Sequence, residues 1–279
     1  MSGPEDQSAR VARLFDEVAD NYDQSGVAFF EPIARGLVEL LAPAPGERVV
    51  DVGCGRGAVT FPAAEAVGPT GSVTAVDIAP AMVEQTRAGA QRLGLDQVQA
   101  WVVSPDDLGL PLAGFDVVAS SLVLFFAPDP AATLRSWVRL LAPGGRIGIA
   151  TFGEADDTWN AIDDLFRPFL PQALLDARTS GAAGPFASDV GVEALFRAWG
   201  AGEVRTVRRP VRPRFENAEQ WQRFSMGTGQ RIFWHFVPEA DRPALFARAS
   251  ELLDAAQTPA GGYELSQDVR YTLGVAQLT

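Results

Sequence analysis

Residues 49–58 read VVDVGCGRGA, an apolar run ending around an aspartate and followed by glycines at positions 53, 55 and 57. Valine-rich runs of this length form strands buried on both faces. Glycines at every second position allow a tight turn from strand to helix and a close approach of backbone to ligand. The stretch predicts a doubly wound α/β fold, in which ligands bind at the carboxyl ends of parallel strands. Residues 53–58 satisfy the relaxed dinucleotide pattern G-x-G-x-x-G/A. Asp77 closes the next apolar run, 20 residues after Gly57, where an acid takes the two ribose hydroxyls.

Asp51 narrows the choice of ligand. Two unit charges about 4 Å apart at an effective dielectric near 20 interact by roughly 4 kcal/mol. A carboxylate at the strand end therefore opposes a pyrophosphate over the loop and favours a cation. S-adenosylmethionine carries an ammonium and a sulfonium, has no phosphate, and still offers an adenosine to Asp77.

Outward from the loop, strands are predicted at 49–52, 72–77, 98–103, 115–120 and 146–151, alternating with helices at 81–94 and 130–145. In the second of these helices Leu134, Val138 and Leu141 share a face, and Pro143-Gly144-Gly145 stops it. Residues 8–42 read as two helices, with Ile33, Leu37, Leu40 and Leu41 on one stripe. Residues 154–200 are helical and aromatic. An edge strand follows near 203–210, bounded by Pro210 and Pro213. Two helical pieces at 217–236 and 239–256 lead to a last strand at 268–276. Three regions result: a helical lid (1–44), an α/β core (45–153), and cap helices with the last two strands (154–279).

Composition excludes much chemistry. The chain has 279 residues and a formal net charge of −12, with a pI near 4.6, so its field repels nucleic-acid backbones. All 23 basic residues are arginine, which removes a Walker lysine and a Schiff-base lysine. One histidine and one cysteine, His235 and Cys54, cannot assemble a His/Cys metal cluster, and no metal ligands are assigned. No G-x-S-x-G elbow is present. The start lacks an apolar signal core and no segment approaches a membrane span, so the expected location is the cytoplasm. A single cysteine suits a reducing compartment.

The stretches DVGCGRG (51–57), VDIAPAM (76–82), FDVVASSLVLFF (115–126) and LLAPGGRIGIA (140–150) resemble, in order and spacing, the successive motifs of class I S-adenosylmethionine-dependent methyltransferases. The resemblance implies a doubly wound, seven-stranded, mostly parallel sheet with the last strand antiparallel beside the fifth, a helical N-terminal lid and helical cap insertions. It implies S-adenosyl-L-methionine as cofactor. Gly53 and Gly55 would approach its methionine part and Asp51 would orient the loop and amino group. Asp77 would hold the ribose hydroxyls, with Ile78 and Met82 covering the adenine and Ser120 at the end of the fourth strand. FDEVADNYD (15–23) is similar to the family's F-x-x-x-A-x-x-Y segment, which makes Tyr22 the residue that closes over the cofactor. Where relatives carry Asp-Ala after the third strand, this chain has Ser104-Pro105, with Asp106 two residues on; Ser104 could bond the adenine amino group, whereas Pro105 has no N–H to give.

Where relatives carry a histidine after the fourth strand, this chain has Phe125-Phe126. His235 is then the one imidazole for a base, and Tyr22 and His235 are the catalytic candidates. The arginines of 205–214 are expected on the solvated side of the edge strand, and Glu154, Asp156 and Asp157 at a helix N-terminus. Phe125, Phe166, Phe186, Trp221 and Phe224 are expected at the acceptor, which is read as a bulky, apolar small molecule of natural-product biosynthesis. Aromatic faces stabilise a carbocation through cation–π contact, so carbon methylation of a prenyl-like or alkene group is favoured, with or without cyclisation. The alternatives are oxygen methylation of a polyketide-like hydroxyl or carboxyl, and cyclisation without methyl transfer. Neither a nucleic acid nor a membrane is an expected partner; exchange of the N-terminal helix between subunits would give a homo-oligomer.

Overall fold

The computed structural model describes residues 9, 11–13, 15, 16, 19, 22–104, 108–171 and 184–277. The predicted site residues Pro105 and Asp106 lie outside them.

Five parallel strands come first: β1 (Arg48–Val52), β2 (Ser72–Asp77), β3 (Val98–Val102), β4 (Phe115–Ser121) and β5 (Leu141–Ala155). Later come β6 (Glu203–Val211), the short β7 (Arg214–Phe215) and β8 (Tyr263–Glu264), and finally β9 (Gln267–Val275). Seven of these form one sheet in the order β3-β2-β1-β4-β5-β9-β6, while β7 and β8 form a separate two-stranded ribbon. β9 runs antiparallel between β5 and β6, so the expected sheet is observed. β6 is one edge, as Pro210 and its neighbours predicted, and β3 the other; the last third of the chain supplies both strands that complete the sheet. β1 has Val49, Val50 and Val52 at 0% exposure, which is why its sequence shows an apolar run rather than an alternation.

The helices are α1 (Phe30–Leu41), α2 (Thr60–Val67), α3 (Pro80–Leu93), α4 (Pro130–Val138), α5 (Asp157–Phe166), α6 (Asp189–Ala198), α7 (Ala218–Met226), α8 (Arg231–Phe236) and α9 (Arg242–Leu253). Ile33, Leu37 and Leu41 of α1 are buried against one sheet face and Leu40 is partly buried. Leu134 and Trp137 of α4 and Phe196 of α6 fill the opposite face. α3 starts on Pro80, whose missing N–H costs nothing there, and ends on Gly94 in the left-handed region. Asp156 caps α5 by accepting from the Trp159 N–H at 2.7 Å, the helix N-terminus expected for that acidic cluster.

One element departs from expectation. α4 ends at Val138, and Leu141 starts β5 opposite Phe115 instead of joining the helix face. The Phe115 N–H donates to the Leu140 carbonyl, so strand pairing claims the chain five residues before Arg146. No helix of the described residues is long and apolar enough to cross a membrane.

Candidate cofactor and acceptor site

β1 lies between β2 and β4, and a cleft opens at the carboxyl ends of these three strands. Gly53 and Gly55 line it from β1, Asp77 and Ile78 from β2, and Ser121–Leu124 from β4. The glycine loop is fixed by its own amides. The Gly53 and Cys54 N–H groups donate to the Val76 carbonyl at 2.8 and 2.9 Å. The Gly55 N–H donates to Asp77 Oδ2 at 2.8 Å, and the Ala79 N–H to Asp77 Oδ1 at 3.0 Å. Burial raises the Asp77 pKa, against the backbone amides of Ala79, Gly55 and Ile78 that favour its charge.

Two observations test whether a cationic adenosyl cofactor fits. At Gly55 (φ +54°) an added Cβ would meet nothing within 4 Å, so the loop leaves open space there, whereas at Gly53 a Cβ would lie 2.2 Å from Val123 Cγ2. Asp51 is completely buried and accepts from Thr60 Oγ1 at 2.6 Å through Oδ2, while its Oδ1 has no partner among the described residues. Burial pushes its pKa up to about 7, opposed by the Thr60 hydroxyl and reinforced by Asp77. An orphaned carboxylate oxygen at the end of β1 is matched by a nearby positive charge, so the residues fit S-adenosylmethionine. Asp51 does not itself line the cleft; it acts from behind the loop.

The N-terminal segment closes this cleft. Phe15, Tyr22 and Val11 line it. Asp16 Oδ1 accepts from the Ala81 N–H at the start of α3, at 2.9 Å, and Arg56 of the glycine loop donates to the Ala19 carbonyl at 2.5 Å. Tyr22 stacks on Phe30 at 4.9 Å and meets Phe15 edge-on at 5.8 Å. Burial, then Asp23 and Asp77, raise its phenol pKa, so the hydroxyl stays protonated.

A second cleft of about 740 Å³ adjoins the first. Phe15, Tyr22, Phe30, Leu122 and Phe126 line both. Beyond them the second cleft is walled by Phe29, Phe125, Phe152, Trp159, Phe224 and Phe233, with Asp163, Thr228, Gln230 and Gln267 as its polar lining. The arrangement suits a donor in the first cleft and a flat, bulky acceptor in the second.

The predicted residues divide accordingly. Tyr22, Gly53, Gly55, Asp77, Ile78 and Met82 come together at the first cleft, and Phe125 and Phe224 at the second. Ser120 does not: it is fully buried and its hydroxyl donates to the Val52 carbonyl at 2.8 Å. Ser121, on the other face of β4, lines the cleft instead. Ser104 is half-buried and borders neither cleft. Phe166, Phe186 and Trp221 are 5% exposed or less and pack within the hydrophobic cores. His235 is exposed, edge-on to Phe236, and borders neither cleft, so it stands away from any transfer. Sequence reasoning passed over Phe15, Phe30, Leu122, Asp163 and Gln230. Phe15 is the first residue of the F-x-x-x-A-x-x-Y segment and was legible there. Leu122 carries φ +61°, a conformation with no mark in sequence.

Comparison with known proteins agrees with this geometry. A family described as a methyltransferase domain matches residues 43–174. The nocamycin O-methyltransferase of Saccharothrix syringae is 38% identical over 89% of this chain and 92% of its own length. The aklanonic acid methyltransferase of Streptomyces sp. strain C5 is 41% identical over 60% of this chain and 76% of its own. Among solved structures, a Haemonchus contortus phosphoethanolamine N-methyltransferase with S-adenosylhomocysteine has a TM-score of 0.62 at 14% identity, covering 99% of this chain and 61% of that one. The YcgJ protein of Bacillus subtilis has a TM-score of 0.57 at 16% identity, covering 88% of this chain and 98% of that one.

Proposed function

We propose, from the premise that this chain belongs to the class I S-adenosylmethionine-dependent methyltransferases, that it methylates an oxygen of a polyketide-like aromatic small molecule in secondary metabolism. The observation that carries this reading is the shared wall of the two clefts: Phe15, Tyr22, Phe30, Leu122 and Phe126 line both the glycine-loop cleft and the aromatic one. The two relatives, an O-methyltransferase of nocamycin and a methyltransferase of aklanonic acid, support methylation of a secondary metabolite. Of the aromatics expected at the acceptor, Phe166, Phe186 and Trp221 sit in the cores, while Phe125 and Phe224 border the second cleft. Oxygen methylation is favoured because the nocamycin relative is an O-methyltransferase.

Bound S-adenosylmethionine supplies an activated methyl group on a sulfonium. The chain's own part is orientation. Phe15, Tyr22 and Phe30 form a shared apolar wall between the two clefts. Holding donor and acceptor in near-attack geometry contributes roughly 7–11 kcal/mol without an acid or base. No histidine lines either cleft among the described residues, and the Tyr22 phenol holds its proton. An acceptor oxygen that is already acidic, as in a carboxylic acid, an acidic phenol or an enol, needs no base from the chain.

Methyl-labelled cofactor and a panel of aromatic polyketide acids test the proposal, with carbon-13 NMR of the product locating the label. A methyl group bound to oxygen is expected. A carbon-bound methyl group overturns the oxygen assignment, and turnover that leaves the label on the cofactor identifies cyclisation instead.

A further inference from the structure

We infer that Gln230, held in place by Asp163, determines acceptor specificity by taking a hydrogen bond from a hydroxyl group of the acceptor at the polar end of the aromatic cleft. The inference rests on the aromatic-acceptor reading above and adds what that acceptor must carry. Gln230 lies just before α8, which brings it to the cleft wall beside Thr228 and opposite Asp163 of α5.

Gln230 Nε2 donates to Asp163 Oδ1 at 2.9 Å. The amide thus turns its nitrogen, not its oxygen, towards the Asp163 carboxyl oxygen. The oxygen Oε1 therefore points away from Asp163. It is buried and has no partner among the described residues. A buried acceptor left unpaired is costly, and native proteins seldom keep one without a reason. The neighbouring polar groups are engaged elsewhere. Thr228 Oγ1 contacts the Ser225 carbonyl and the Gln230 N–H, each at 3.4 Å. Gln267 Nε2 donates to the Gly153 and Asp268 carbonyls at 3.1 and 2.9 Å.

Most of the cleft wall is aromatic, and a ring system seated against it has no other use for a hydrogen bond. Oε1 is covered in the ligand-free structure, so a seated acceptor must displace the side chains over it; a neutral O–H at the acceptor's far end then pairs with Oε1, while the same skeleton without that hydroxyl leaves it unpaired. Sites built to bond a substrate hydroxyl discriminate strongly against the analogue that lacks it. Asp163 is a positioning residue, since it acts on the acceptor only through the amide it orients.

The test uses the full chain loaded with S-adenosylhomocysteine and two probes: anthraflavic acid, an anthraquinone with a hydroxyl at each end of its long axis, and unsubstituted anthraquinone. Binding is read from quenching of tryptophan fluorescence at a pH below the phenol pKa. The wild type is expected to prefer the hydroxylated probe by about tenfold, the order of one hydrogen bond to a buried acceptor. Gln230→Leu should lose that preference while retaining its affinity for anthraquinone and for S-adenosylhomocysteine. Asp163→Asn should weaken the preference, because an amide no longer dictates which end of Gln230 faces it. Equal binding of both probes by the wild type, or an undiminished preference in Gln230→Leu, overturns the inference and leaves the aromatic-acceptor reading standing. If the wild type binds neither probe, the aromatic-acceptor reading fails and takes this inference with it.

Discussion

Asp51 is a carboxylate held well outside its usual range. Its folded pKa, near 7, lies well above that of an exposed carboxylate because the side chain is fully buried. The folded state thus holds a proton that the unfolded chain releases. The associated stability is present at low pH and is lost as pH rises from about 4 through 7. Each pKa unit corresponds to about 1.4 kcal/mol, so in the ligand-free protein Asp51→Asn should raise the melting temperature at about pH 8 and change little near pH 4. The same substitution should weaken S-adenosylmethionine binding. Wild-type affinity should climb between about pH 6 and 8, because the bound cation favours the ionised form and a proton must leave. Calorimetry across that range should find the slope absent in the Asn variant; an unchanged slope would show that Asp51 does not sense the cofactor. Asp77→Ala should cost about 1.5–3 kcal/mol of cofactor affinity, the usual loss of a charge-assisted bond. Unaltered affinity by calorimetry would remove Asp77 from the ribose assignment.

The element that decides cofactor binding is the turn from β1 to α2, and its glycines have separable duties. Gly57 has φ +92° and a Cβ there would lie 2.4 Å from the Phe61 ring, whereas Gly55 faces open space at φ +54°. Gly57→Ala should therefore destabilise the fold by about 1–3 kcal/mol in urea unfolding. Gly55→Ala should lose cofactor affinity more than stability, since its methyl group enters the cleft. The lid is the second element. Asp16 accepts from the Ala81 N–H and Arg56 donates to the Ala19 carbonyl, so the lid is tied to two walls of the cofactor cleft. Removing residues 1–24 should abolish methyl transfer while the sheet still folds, as circular dichroism and a label-transfer assay would report. A fully active truncation would dispose of the lid.

At the scale of the whole molecule, a ligand that binds only the folded state stabilises it by mass action. S-adenosylhomocysteine at 100 times its dissociation constant adds about 2.7 kcal/mol, and thermal unfolding should register that shift. NAD should produce none, because the buried carboxylate of Asp51 and a net charge of −12 both oppose a pyrophosphate. An equal shift with NAD would contradict the reading of the glycine loop.

The sheet and the cofactor cleft were legible in the residues because both are local. Val49–Val52, the glycines after them and Asp77 are confined to single strand–turn units, and burial on both faces prints itself as an apolar run. The same holds for the edge position of β6, announced by Pro210, and for the cap that Asp156 places on α5. What lay beyond the sequence is long-range. Phe166, Trp221 and Phe224 have the same composition value, yet only Phe224 borders the acceptor cleft while the others fill core space. His235 gave no sign that it would face solvent. Gln230 and Asp163 are 67 residues apart in the chain and become a site only where α5 and the start of α8 converge. Residue type sets what a side chain is able to do; which aromatic is wall and which is core depends on packing between distant segments, and only the tertiary structure decided that.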